Sequence, residues 1–533
     1  MKPFSLSVFF LVLIFIWETG FAEQSETASK TNLNFGKLEW LNPWLSSSNA
    51  SGMPILLKAL PDYTSFSDLK IRYDYATGEF GDPFTPAEYT DMGIQTKSIQ
   101  RINNTFVMGY FNYSLSNRID AQWNGLFVPG SNPFFIADSV KGRFRAEKFS
   151  AGVKVAHPIG QNQTIGFSVD YITATGAKDK DLRNTNTYND FRIHPSWMLA
   201  RGNLNLGASL GYNRTSETIN YREVQTSTTK DFFYFYGNWF YLSEIYTQSS
   251  EDFRVKTDNA FEGNIQLQHT GKEISVYNQL GVEYLKGTQR SLAVNNRQFG
   301  DVESVLLKND LVVYVRKNHR FSADIRYKTL LGFRHLQLNE FDPPTRRYVW
   351  VTYDRFNAYA SAEGMQSLMY SFTLPRQGMD IRLQVDAGVL LFQRSQVHKI
   401  YPFDFRQTVS TQEFFVTANK NLKFGKSIID IRPLIAHGIG GGNKNKVETV
   451  NENAGMTLLQ EEWQLIAQRD HEFYALTCDR LRASLTLRYS YPINNRGTRL
   501  YVFGNYNYVK PLNHDIFQNQ DRRNMAAGVG ITF

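Results

Sequence analysis

Residues 204–212 read Leu-Asn-Leu-Gly-Ala-Ser-Leu-Gly-Tyr: Leu204, Leu206, Ala208, Leu210 and Tyr212 are apolar, and Asn205, Gly207, Ser209 and Gly211 between them are small or polar. Successive side chains of a strand leave on opposite faces, so this stretch predicts a strand with one oily and one polar face. The alternation returns along the chain. Leu481, Ala483, Leu485, Leu487, Tyr489 and Tyr491 alternate with Arg482, Ser484, Thr486, Arg488 and Ser490. Ile381, Leu383, Val385, Ala387 and Val389 alternate with Arg382, Gln384, Asp386 and Gly388. Segments 321–327, 149–155, 165–171 and 69–75 repeat the pattern, while 106–115 and 305–307 carry it less cleanly.

A soluble sheet with one face on a core alternates in the same way, and the connections separate the two readings. Short turn signals recur at Ser116-Asn117-Arg118, 158–162, Arg201-Gly202-Asn203, Thr270-Gly271-Lys272, 316–319, 375–378, 421–425 and 494–497. Between them lie longer polar or Gly-rich stretches, near 78–96, 128–142, 177–191, 214–257, 288–300, 338–347, 396–407, 438–479 and 510–523. This alternation of short and long predicts an all-β fold. The expected architecture is a single closed antiparallel transmembrane β-barrel of about 18 strands (14 to 20), with short periplasmic turns and long extracellular loops. Closure is compulsory in hydrocarbon, where each unsatisfied backbone group costs several kcal/mol. The mean hydropathy of −0.39 agrees, because only the outward half of each strand's central residues meets lipid.

Composition excludes other classes. With 42% hydrophobic, 14% aromatic and 20% charged residues, the 533-residue chain is neither disordered nor collagen-like. Beyond the N-terminus no run reaches the roughly 18 apolar residues that a spanning helix needs. The net charge of +8 is spread along the chain, so no nucleic-acid partner is expected. The single cysteine, Cys478, excludes an intramolecular disulfide and a cysteine-based zinc site.

Three parts are expected. Met1-Lys2, the apolar run 6–17 and Gly20-Phe21-Ala22 read as a signal peptide, residues 1–22. Residues 23–65 form an N-terminal periplasmic or plug-like segment, in which Trp40, Leu41, Trp44, Ile55, Leu56 and Leu57 need burial. Residues 66–533 form the barrel.

At the C-terminus Met525, Ala527, Val529, Ile531 and Phe533 alternate with Asn524, Ala526, Gly528, Gly530 and Thr532. This resembles the last-strand assembly signal of outer-membrane barrels, with Gly528, Ile531 and Phe533 in matching places and Ala526 where a large polar residue is preferred. The resemblance implies the outer membrane of a Gram-negative bacterium, with outer-membrane lipid and the barrel-assembly machinery as partners. Residues 181–186 (Asp-Leu-Arg-Asn-Thr-Asn) and 191–197 (Phe-Arg-Ile-His-Pro-Ser-Trp) are similar to an uncharacterised Bacteroidota barrel family often encoded beside TonB-dependent receptors. That likeness implies uptake or transport of a solute as accessory to such a system, with a TonB-dependent receptor or a surface lipoprotein as partner. TonB-dependent receptors themselves match poorly, since too few residues precede the first strand to make their plug domain.

The alternation points Lys70, Arg72, Asp74, Lys154, Asp170, Asp324, Arg326, Lys328, Arg382, Asp386, Arg482 and Arg488 into the lumen. They line either a selective channel or an internal salt-bridge network that fills the barrel. An open lumen and one obstructed by the N-terminal segment therefore both remain in play, and with them a transporter and a surface-complex anchor. Residues 437–442, His-Gly-Ile-Gly-Gly-Gly, lack the strand–loop–helix context and the Lys-Ser/Thr pair of a phosphate cradle and read as a flexible loop. Scattered histidines offer no metal spacing, no Gly-x-Ser-x-Gly elbow occurs, and no cofactor motif is present. An outer-membrane hydrolase is thus the least favoured reading. Phe232, Phe233, Tyr234, Tyr236, Trp239 and Tyr241 make an aromatic patch, read as a stacking surface for a ligand or partner, or as an added strand or interfacial girdle.

Overall fold

The computed structural model describes residues 38–533 except 41, 56–64, 124, 129–130, 181, 223–232, 244–251, 293–296, 317, 376–380, 401–402, 445–447, 450–464, 495–496 and 513. Long strands follow in chain order: β1 (Ser65–Thr77), β2 (Glu88–Ile102), β3 (Thr105–Ala121), β4 (Gly142–Ile159), β5 (Gln163–Lys178) and β6 (Arg183–Arg201). Next come β7 (Leu204–Arg222), β8 (Asp252–Thr270), β9 (Ile274–Ser291), β10 (Arg297–Val315), β11 (His319–Asp342) and β12 (Arg347–Pro375). The wall is completed by β13 (Ile381–Ile400), β14 (Phe403–Phe424), β15 (Ser427–Lys444), β16 (Asp479–Pro492), β17 (Arg499–Leu512) and β18 (Arg522–Thr532). Each pairs antiparallel with the next, and β1 pairs with β18 from Asp68↔Thr532 to Thr77↔Arg523. The result is a closed antiparallel barrel of 18 strands, which leaves no free sheet edge.

Short turns gather at one end. Gly160, Gly202 and Gly425 take φ of +67°, +59° and +57° in three of them, the left-handed conformation that tight hairpins demand. One expected turn is displaced: Ser116-Asn117-Arg118 lies inside β3, and the connection is Asn103-Asn104, with Asn103 at φ +55°. The upper part of β3 is polar on both faces, and there a strand looks like a turn in sequence.

At the other end several expected long loops are instead tall hairpins. β11 and β12 run for 24 and 29 residues, leaving only 343–346 between them, and 179–182 is all that separates β5 from β6. The expected flexible loop at 437–442 is part of β15. Its glycines serve close approach: a Cβ on Gly440 would lie 2.2 Å from the Thr477 carbonyl oxygen, and one on Gly442 3.1 Å from the Phe473 ring. A helix, Ile466–Thr477, is pressed against that face.

The outside of the wall is apolar and uncovered. Leu69, Ile71, Tyr73, Phe149, Phe167, Leu210, Ile265, Leu485 and Val529 are all exposed, a continuous band whose contact with water is unfavourable by about 25 cal/mol per Å². The tightly packed apolar clusters lie inside the barrel.

Candidate functional site in the lumen

Residues 38–55 sit against the inward face of the wall near the short-turn end. Leu38, Leu45, Ala50 and Met53 pack with Phe66, Ile99, Phe106, Met108 and Ala156. Trp44 is fully buried among Met198, Tyr277 and Val312, and its Nε1 donates to Gln268 Oε1 at 2.7 Å. Gly207 makes room for it, since a Cβ there would fall 2.6 Å from the indole. Polar contacts fix the rest of the segment. Asn49 Nδ2 donates to Gln266 Oε1 at 2.9 Å, Ser196 Oγ accepts from the Ser51 amide at 3.3 Å, and Lys97 pairs with Glu39 at 2.6 Å. Trp40 lies edge-on to Tyr314 at 5.6 Å, and Tyr314 donates its hydroxyl proton to the Trp40 carbonyl. Lys154, expected as lumen lining, faces inward and donates to the carbonyls of Ser47 (2.8 Å) and Leu45 (3.2 Å). Leu41, Leu56 and Leu57 lie outside the described residues, as does the expected signal peptide.

Loops fill the lumen from the opposite end. Short strands Phe134–Ala137, Phe233–Tyr236 and Tyr241–Ser243 form a separate three-stranded sheet. The sequence patch is therefore an added strand and not an open stacking surface. Tyr234, Phe235, Tyr236 and Trp239 are buried, with Phe135 stacked on Phe235 at 4.5 Å and Phe84 on Trp239 at 4.9 Å. Phe233 and Tyr241 pack against the same cluster, and Phe232 lies outside the described residues. Gly237, Asn238 and Trp239 take consecutive positive φ values of +97°, +50° and +64°, unusual for the latter two and held in place by this packing. Inward glycines of the wall receive the sheet: a Cβ on Gly300 would lie 2.8 Å, and one on Gly332 3.0 Å, from the Phe134 ring.

The small sheet with its following turn and the helix Ile466–Thr477 together make a lid, and one polar tie joins its two parts to each other and to the wall. Glu472, on the helix, accepts from Trp239 Nε1 at 2.6 Å and pairs with Arg394 of β13 at 2.8 Å. Beside it a cavity of about 120 Å³ is lined by Trp239, Tyr359, Lys328, Glu363 and Arg394. Phe240 stacks on His398 at 4.0 Å, and Arg469 lies over Phe405 at 4.3 Å.

Between the two obstructions the wall presents charge. Arg72 meets Asp74 at 3.2 Å and Asp91 at 3.8 Å; Arg326 holds both Asp310 (2.8 Å) and Asp324 (2.9 Å); Arg482 meets Glu413 at 2.6 Å. Asp170 accepts from the Tyr110 hydroxyl at 2.7 Å, Asp386 from Gln384 Nε2 at 2.8 Å, and Arg488 lies 3.7 Å over the Tyr501 ring. Arg382 shares the inward face of β13 with Asp386, four residues further on. A second network was missed in the sequence: Lys308 bridges Glu262 (3.1 Å) and Glu283 (3.2 Å), and His194 lies 3.4 Å from Glu262. Alternation extended into β8–β10 would have found it. The Trp239–Glu472–Arg394 tie, between loops distant in sequence, had no such signal.

The barrel is similar to several solved structures. These include the ferric preacinetobactin receptor BauA from Acinetobacter baumannii (8% identity, TM-score 0.39, covering 88% of this chain and 80% of that one). The outer membrane transporter YddB from Escherichia coli gives 8%, 0.39, 87% and 81%, and a mutant of the ferric enterobactin receptor PfeA from Pseudomonas aeruginosa 8%, 0.39, 88% and 80%. No curated protein matches the chain. Residues 54–533, most of the sequence, match the family of unknown function DUF6850, and the chain belongs to that family.

Proposed function

We propose that this chain is an outer-membrane barrel taking part in solute uptake, its lumen held shut at rest by residues 38–55 from one end and by its loops from the other. The apolar outer band and the closed wall support insertion in a membrane, and the charged inner wall suits a polar solute. The observation that carries the gate is Trp44, wholly buried inside the wall under Gly207 and hydrogen-bonded to Gln268. A partner that supplies energy, such as a TonB-dependent receptor, fits a barrel whose charged lumen is closed at rest.

Planar-bilayer recording tests the gate. The intact protein is expected to be nearly silent, a variant lacking residues 23–60 to conduct in bursts as the loops at the other end part, and the same deletion combined with Glu472→Gln, which frees those loops as well, to conduct steadily; a large steady pore in the intact protein would overturn it. A second reading, a permanently closed anchor for a surface complex, draws on the Trp239–Glu472–Arg394 tie, which locks the lid to the wall. It predicts silence even after the deletion.

A further inference from the structure

The apolar band of the outer wall has a dent in it. Ala208, Ile265 and Leu280 form one outward row across β7–β9, and Leu210, Gly263 and Val282 form the row above. Small residues make the floor and large ones the rim. Leu210 and Ile265 are 70% and 67% exposed, and a Cβ built on Gly263 would meet nothing within 4 Å. The concavity measures about 960 Å³ and reaches from Trp197 on β6 to Tyr327 on β11. Five interstrand steps of about 4.8 Å give it a width of about 24 Å.

What stands above the dent, toward the end bearing the lid, has an order of its own. The next row is aromatic, Tyr212, Phe261 and Tyr284; the one after it is Arg214, Asn259 and Lys286. Tyr212 donates to Asn259 Oδ1 at 2.8 Å, tying the two rows together. Arg214 and Lys286 lie two strands apart, about 10 Å. Both are exposed, and neither forms an ion pair among the described residues. The acid beside Lys286, Glu303, is already held by Arg355 at 2.8 Å.

Apolar floor, aromatic collar and paired cations, rising toward the lid, match the layers of one leaflet: acyl chains, interface, phosphate. We infer that this face binds the phosphorylated, multiply acylated glycolipid of the outer leaflet, lipid A. Its acyl chains fill the dent and its phosphates meet Arg214 and Lys286. The width favours lipid A over a two-chain phospholipid, and the lid-side position of the cations selects the outer leaflet. The inference rests on the membrane reading above.

The test uses the full chain reconstituted with lipopolysaccharide or with phosphatidylglycerol, followed by native mass spectrometry of lipid retained after delipidating washes. Wild type is expected to retain lipid A and not phosphatidylglycerol. Joint Arg214→Ser and Lys286→Ser substitution should lower lipid A retention about tenfold, the loss expected for charge-assisted contacts. Gly263→Leu, which fills the dent, should lower it too. Lys272→Ser, an exposed cation at the short-turn end, should leave it unchanged, and a heat-dependent gel shift verifies that each variant is folded. Equal retention by all variants, or equal capture of phosphatidylglycerol, would overturn the proposal. Failure of the wild type to enter bilayers at all would overturn the membrane reading, whereas insertion without lipid A retention defeats only this one.

Discussion

Ser67 and Phe533 exchange two backbone hydrogen bonds: the Ser67 amide donates to the Phe533 carbonyl at 2.8 Å, and the Phe533 amide returns one to Ser67 at 3.0 Å. They are the lowest rung of the β1–β18 seam, at the short-turn end. Deleting Phe533 removes both, a loss of about 2 kcal/mol at roughly 1 kcal/mol per bond. If Phe533 also serves as an assembly signal with Gly528 and Ile531, the yield of folded barrel in cells will fall far more than the stability of barrel refolded in detergent. Equal losses in the two settings would leave Phe533 a purely structural role.

Trp44→Ala removes a fully buried indole and its bond to Gln268. The expected cost to docking of the N-terminal segment is about 3–5 kcal/mol, the range for buried Trp or Phe truncated to Ala. The wall does not depend on that ring for its own hydrogen bonds. The variant should therefore keep its heat-dependent gel shift while residues 38–55 become open to protease and conductance bursts appear.

Gly440→Val places a side chain where the Thr477 carbonyl lies, at a distance no real contact tolerates. The clash is with backbone, so the helix Ile466–Thr477 must move. Limited proteolysis is expected to cut within 445–478 faster than in wild type, with β15 and β16 still paired by infrared or circular dichroism. An unchanged cleavage rate would mean that the helix is not seated as described.

Cys478 reports the same movement. Its side chain is buried beside the helix, and burial pushes the thiol up to about 11. A raised thiol value means a protonated, unreactive sulfur at neutral pH, with the thiolate gained only as pH climbs toward that value. Alkylation of wild type should thus be slow at pH 7.5 and accelerate steeply above pH 9. In Gly440→Val the exposed thiol should label quickly at neutral pH, with its midpoint moved down toward that of an ordinary cysteine.

Glu472→Gln leaves Arg394, whose side chain is 12% exposed, without its carboxylate. Breaking a buried pair from one side typically costs about 3–5 kcal/mol, much of it the stranded charge. Pairing it with Arg394→Gln should recover a large part of that loss, which a double-mutant cycle on lid protection from hydrogen exchange would measure.

The wall was legible in the sequence because lipid outside and water inside impose strict alternation, as Leu204–Tyr212 displays. Legibility stopped where that contrast stops. Above the apolar band both faces of a strand meet water or lid, so Ser116-Asn117-Arg118 and much of 177–191 read as connections although they are paired strand. His437–Gly442 misled for another reason: its glycines signal the approach of a helix some 30 residues later and not a flexible chain. Inward charges such as Arg72, Asp74 and Arg326 could be placed from alternation alone. Their cross-strand partners could not: Asp91 and Asp310 come from adjacent strands, and Glu413 of β14 reaches Arg482 of β16 across β15, in registers that depend on hairpin heights. Lys154 could be assigned to its face but not to its acceptors, which are carbonyls of a segment more than a hundred residues earlier.

The enclosure of residues 38–55 bears on the order of assembly. The segment lies immediately before β1, whereas the strand that completes the wall, β18, is separated from β1 by every other strand of the barrel. Until β18 arrives the sheet is an open trough, and Trp44, Asn49 and Ser51 can settle against β5–β10 from the side. After the seam zips from Asp68↔Thr532 to Thr77↔Arg523, the only entrance is along the axis. A segment that settles first is enclosed as the wall curls shut, and an N-terminally shortened chain must reach the same circumference without it.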